Sequence, residues 1–119
     1  MVRSFDDNPT QATRALQIWQ ILIGKAHNRQ TITYGQLAEL LGFGGAGTLA
    51  QLLGPVLHYC RQQELPPLTV LVVSKDSGLP GDGVKDIDLN STREEVFRFN
   101  WYGIWPPTTD ELNAALPSS

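Results

Sequence analysis

Residues Thr31 to Gly54, TITYGQLAELLGFGGAGTLAQLLG, constrain the chain more than any other stretch. Thr33 and Gln36 have the spacing of a capping box, in which the threonine oxygen accepts a backbone N–H and the glutamine reaches back to the threonine amide. Leu37, Ala38, Leu40 and Leu41 then supply an apolar face at helical spacing. Gly42, Gly44 and Gly45 stop that helix, since glycine enters positive φ without a steric penalty. From Thr48 the periodicity resumes at Leu49, Leu52 and Leu53. Helix, glycine-bearing turn and helix make the outline of a helix-turn-helix.

The flanking segments read as mostly helical. Asn8 and Pro9 mark a helix start, with asparagine as the cap and proline at the first helical position. Ala12, Leu16, Trp19, Ile23 and Ala26 fall on one face, and Ala15, Ile18 and Leu22 widen it into a largely buried helix. Gly24 weakens this helix and the HNRQ stretch ends it. Past the motif, Gly54-Pro55 interrupts the periodicity, and a restart at Pro55 running to about Gln63 is favoured over a kink. LTVLVV, Leu68 to Val73, is the one strong strand signal, and its lack of alternation predicts cover on both faces. SKDSGLPGDG is a loop on composition. Ser91 with Glu94 offers a second capping box. The alternation of Phe97, Phe99 and Trp101 fits a strand as well as a helix, and helix is the reading taken. Thr108 with Glu111 opens a last helix carrying Leu112, Ala115 and Leu116.

With 119 residues, 41% of them apolar and 18% charged, the chain suits one globular domain. No apolar run approaches the ~18–20 residues of a membrane span, and MVRSFDDNPT lacks the apolar centre of a signal peptide, so a cytoplasmic protein is expected. A single cysteine, Cys60, excludes an intrachain disulfide. Residues 1–63 carry a net +2 and residues 64–119 a net −5. Attraction to phosphate would have to come from the N-terminal half, where it is slight.

The succession TYGQLAELLG, small-residue turn, TLAQLLG, PPLTVLVV and SGLPGDG resembles the DNA-binding domain of alkylguanine-DNA alkyltransferases and their non-catalytic relatives, the alkyltransferase-like proteins, over roughly residues 15–83. The resemblance implies a winged helix-turn-helix whose first helix opens at Thr33, Tyr34 and Gly35 and whose second helix enters the minor groove. Leu49, Leu52 and Leu53 match apolar positions of that recognition helix, and Gly78 to Gly81 match the glycine-rich loop. Three departures stand beside these matches. The arginine that takes the flipped base's place in the family falls here at Gly47 or Thr48. Val70 to Lys75 occupies the region of the Pro-Cys-His-Arg motif and holds no cysteine, histidine or proline. About ten residues, including His58 and Cys60, are inserted between recognition helix and strand. The resemblance thus implies the frame without alkyl transfer.

Tested as a nucleophile, Cys60 has His58 and Arg61 close in sequence, but residues two apart on a helix face nearly opposite ways. The step Leu49, Leu53, Val56, Cys60 makes it a small core residue instead. Asp82, Asp86, Asp88 and Asn90 form an acidic cluster that, read from Asp86, begins like a calcium loop. Ser91 then stands where glycine is required and Phe97 where the bidentate glutamate belongs. His27 and His58 are isolated, which sets zinc aside, and GFGGAG lacks the Lys-Ser/Thr of a P-loop. Trp101, Tyr102 and Trp105 either close the core over the C-terminal helix or present a binding surface.

These readings predict an α/β, mostly α, winged helix-turn-helix-like single domain over residues 1–119 with a small sheet. Its motif core spans 31–83, and 84–119 form an aromatic, acidic C-terminal extension. The expected role is non-catalytic nucleic-acid binding, with DNA contacted by Thr33, Tyr34, Gly47, Thr48 and Gln51, in a bacterial or phage protein. The alternative is a protein-interaction module that docks a partner through the acidic C-terminal half at Trp101, Tyr102 and Trp105. No cofactor, metal, membrane or small-molecule substrate is expected. No lysine or arginine lies between Arg29 and Arg61, so the charge around Gly47 to Gln51 decides between the two. A positive rim from Arg14, Lys25 and Arg29 favours nucleic acid, and a neutral or acidic one favours a protein.

Overall fold

The computed structural model describes residues 11–43, 49–80 and 88–114. Its elements are α1 (Gln11–His27), β1 (Ile32–Thr33), α2 (Tyr34–Leu40), α3 (Leu49–Gln62), a 3-10 turn (Leu68–Leu71), β2 (Val72–Val73), α4 (Leu89–Arg98), a second 3-10 turn (Trp101–Gly103) and α5 (Thr109–Ala114). The domain is mostly helical, with one small parallel sheet. No helix among the described residues is long and apolar enough to cross a membrane.

Helix α1 is the central element. Ala12, Ala15, Ile18, Trp19, Leu22, Ile23 and Ala26 are buried, as the periodicity predicts, whereas Leu16 is half-buried. The expected start at Asn8 and Pro9 lies outside the described residues. Helices α3, α4 and α5 and the first 3-10 turn all pack against α1.

Helix α2 starts as the sequence indicates. Thr33 Oγ1 accepts from Gln36 N and Gln36 Oε1 accepts from Thr33 N, each at 3.1 Å. It ends in a Schellman turn, with Gly42 at φ +80, Gly42 N donating to Glu39 O and Phe43 N to Ala38 O. Leu37, Ala38 and Leu41 are buried, but Leu40, expected on the same face, is exposed.

The restart expected at Pro55 does not occur, and α3 runs unbroken from Leu49 to Gln62 with Pro55 inside it. A proline at 55 removes the N–H that would pair with the carbonyl of Gln51, four residues back. Gln11 supplies the missing donor from α1, its Nε2 standing 2.7 Å from Gln51 O. The proline is therefore tolerated by a side chain 40 residues earlier in the chain, which no local pattern reveals.

The strand expected over Leu68 to Val73 is also corrected. Only Val72 and Val73 are extended, paired in parallel with Ile32 and Thr33. In that parallel register Leu68 to Leu71 fall opposite residues 28–31, where the turn after α1, with Arg29 at φ +55, offers no strand to pair with. They wind into a 3-10 turn after Pro66-Pro67, Val70 N donating to Pro67 O at 3.1 Å. All six side chains of the run are nonetheless buried, wedged among α1, α3 and α4. Beyond β2 the chain doubles back, with an isolated antiparallel bridge between Val73 and Pro80 and Gly78 at φ +68.

Helix α4 is capped by Asp88, whose carboxylate accepts from Ser91 N, and not by Ser91 as the sequence suggests. Ser91 lies inside the helix and donates its own amide to Asp88, so it is not an N-cap, and the Glu94 carboxylate instead meets Arg29 and Arg98. Phe97 lies in the helix, which ends at Arg98, whereas Phe99 is extended and Trp101 enters a 3-10 turn, so the helical reading holds for the first of the three aromatics alone. Helix α5 opens on the expected Thr108–Glu111 box, with bonds of 3.0 and 3.1 Å. Leu112 is buried, and Ala115 and Leu116 lie outside the described residues.

Two expectations follow. In a double-mutant cycle, Gln11→Ala should cost about 0.5–1 kcal/mol in the wild-type background and close to nothing in Pro55→Ala, where residue 55 regains its own N–H; denaturant titration of the four proteins reads the coupling. Helix α3 ends with Glu64 in the left-handed region at φ +57, Leu65 N bonding to Cys60 O. Glu64→Gly should raise stability by about 0.5–1 kcal/mol by relieving that strain, and a lower melting midpoint would contradict it.

Candidate functional site

The residues proposed to contact DNA divide into three groups. Thr33 is half-buried and both its amide and its hydroxyl serve the capping box. Tyr34 is half-buried and packs against the core. Gln51 is exposed on α3, with its carbonyl held by Gln11 and its side chain on the surface. Gly47 and Thr48 lie outside the described residues.

The cations expected to rim that surface are committed elsewhere. Arg14 Nη1 donates to Gln17 Oε1 at 2.9 Å and to Leu41 O at 3.0 Å, and its guanidinium lies 5.0 Å from the Phe43 ring centroid. It thereby closes the end of α2, a role with no signature in the sequence. Arg29 Nη2 donates to both carboxylate oxygens of Glu94, and the guanidinium sits 5.1 Å from the Phe97 ring. The hydrogen bond between them raises the Arg29 pKa and lowers that of Glu94. Arg29 holds this position at φ +55, in the turn that ends α1. Lys25 remains, half-buried in the last turn of α1.

The aromatic trio of the C-terminal extension is split. Trp101 is 3% exposed, and its Nε1 donates to Val96 O at 2.8 Å inside the core. It meets Trp19 edge-on at 5.5 Å between centroids and Phe99 at 4.5 Å. Trp101 is therefore a core residue and offers no face to a partner, which corrects its place among the docking residues. Tyr102 and Trp105 point the other way, at 63% and 91% exposure. Tyr102 crosses α1 beside His27, rings 5.5 Å apart, and its hydroxyl lies 3.9 Å from where a Cβ on Gly24 would stand. At that distance a Cβ at residue 24 would make ordinary contact with Tyr102, so the contact does not require glycine.

Cys60 is fully buried, and loss of solvation pushes its thiol up to about 11 against the opposing effect of a backbone hydrogen bond with Leu68. A thiol so placed is a poor nucleophile at neutral pH. Of the acidic cluster, Asp82 and Asp86 lie outside the described residues, and Asp88 serves as a helix cap. Among the described residues no group of His, Cys, Asp or Glu side chains is placed to hold a metal ion.

No protein-family model matches the chain, and no curated protein or solved structure matches it significantly.

The two tryptophans should respond oppositely to substitution. Trp101→Phe strands the Val96 carbonyl in the core and should cost about 1–3 kcal/mol. Trp105→Ala should change stability by no more than about 0.5 kcal/mol. Thermal melts of both variants check this, and equal losses would contradict the division.

Proposed function

We propose that this chain is a non-catalytic interaction domain that docks a protein partner through Tyr102 and Trp105. The observation that carries the reading is Trp105, the largest type of apolar side chain, at 91% exposure only four residues from a tryptophan locked in the core. A tryptophan buries about 150–250 Å² on docking, worth ~4–6 kcal/mol before the costs of association. Trp101, fastened to Val96 and Trp19, holds the segment so that little ordering is needed when a partner arrives. Tryptophan and tyrosine are the residue types that dominate interface energetics.

Nucleic-acid binding on a winged-helix-like frame of the alkyltransferase-like type is the second reading. It is favoured by the order of α2 and α3, by the return from Val73 to Pro80 in the position of a wing, and by the exposed Gln51. It stands second because phosphate binding depends on available cations. Arg14 and Arg29 are held by Leu41 and Glu94. Alkyl transfer is not part of either reading, since Cys60 is buried and the run Leu68 to Val73 has no thiol.

Affinity capture from nuclease-treated lysate separates the readings. The wild-type chain should retain a defined protein that Trp105→Ala retains at least ~10-fold less, with Gln51→Ala behaving as wild type. Fluorescence anisotropy with single-stranded and duplex DNA runs in parallel. Capture that vanishes with nuclease, together with DNA binding lost in Gln51→Ala, would replace the protein reading by the nucleic-acid one.

A further inference from the structure

The surface around Tyr102 and Trp105 has a charge character that narrows its partner. Residues 99–109, from Phe99 to Thr109, carry no charged side chain. On α1, the neighbours of Tyr102 are Gly24 and His27, with Gln20 exposed one turn earlier on the same face. Helix α5 begins directly after this stretch, and its first turn presents Asp110 and Glu111, both exposed. Asp110 makes no hydrogen bond or ion pair among the described residues, and Glu111 caps Thr108 while its charge helps to raise the Tyr59 pKa.

Among the described residues no ion pair joins Asp110 or Glu111 to a cation, and Lys25, in the last turn of α1 next to Gly24, is the cation nearest in sequence to the Tyr102 contacts on that helix. Residues 88–114 hold five carboxylates against two guanidinium groups. Both guanidiniums are engaged: Arg93 donates to Gly78 O at 2.8 Å, and Arg98 pairs with Glu94. Arg29 is the third cation near α4, and it too is held by Glu94. An exposed indole in such surroundings attracts cations twice, through its ring face and through the adjacent carboxylates.

Resting on the docking reading above, we propose that the Tyr102–Trp105 surface takes a cationic segment of its partner. An arginine or lysine lies against the Trp105 ring, and Asp110 and Glu111, which follow Trp105 closely in the chain, supply the carboxylates. A second copy of this chain fits poorly, because a two-fold contact on this face would bring acidic turns together. Phosphate, in nucleic acid or on a lipid surface, is repelled by the same turn.

The test uses the full chain and three labelled decapeptides, alternating proline with arginine, serine or glutamate, read by fluorescence anisotropy. The arginine peptide should bind saturably, and its affinity should fall as salt rises from about 50 to about 300 mM. The serine and glutamate peptides should show no saturation. Trp105→Ala should weaken the arginine peptide about tenfold or more, and Asp110→Asn several-fold at low salt, with circular dichroism melts confirming that both variants fold. Absent arginine-peptide binding, equal binding of all three peptides, or wild-type affinity in Trp105→Ala would each overturn the proposal. So would a dimer in sedimentation that Trp105→Ala abolishes. If the peptides fail while Trp105-dependent capture persists, the cationic chemistry falls and the docking surface stands; if capture fails too, both fall.

Discussion

Trp19 joins parts of this domain that lie far apart in sequence. Its indole, 1% exposed, meets Tyr59 of α3 edge-on at 5.6 Å and Trp101 edge-on at 5.5 Å. Such contacts add about 0.5–1.5 kcal/mol each beyond the area they bury. Through this one side chain α1 holds α3 on one side and the C-terminal segment on the other. The bond from Trp101 to Val96 then ties that segment to α4. Once Trp101 is drawn inward, the 3-10 turn at Trp101–Gly103 leaves Tyr102 lying over Gly24 and Trp105 outside. Gly103 is part of this geometry, because a Cβ there would stand 2.3 Å from the Asn100 side chain. The exposure of Trp105 is thus a consequence of how the core closes.

The same economy governs charge. Arg14 and Arg29 look like phosphate contacts when counted along the sequence, but each completes a helix junction. Arg14 satisfies the terminal carbonyl of α2, and Arg29 links the turn after α1 to Glu94 of α4. Carbonyls at helix ends need donors, and Arg14 provides one for α2. The carboxylates of α5, Asp110 and Glu111, have no such engagement with cations among the described residues.

Local signals in the sequence were legible and long-range ones were not. The capping boxes at Thr33–Gln36 and Thr108–Glu111, the stop at Gly42 and the buried face of α1 are all contained within a few residues, and the structure shows each of them. Pro55 was misread because its compensation comes from Gln11, and Leu68 to Leu71 because a strand depends on a partner elsewhere. Ser91 has no box because Asp88, three residues earlier, caps the helix in its place. At the site, composition marked Trp101, Tyr102 and Trp105 as a group, but only three-dimensional packing separates the one inside from the two outside.

The most direct test is made on the indole N–H signals of the three tryptophans, in an NMR spectrum recorded with and without a soluble gadolinium chelate. Trp19 and Trp101 are enclosed and should keep their line widths, while Trp105 should broaden strongly. Broadening of Trp101, or a sharp, protected Trp105 signal, would contradict the division of the segment into a core anchor and an exposed docking residue.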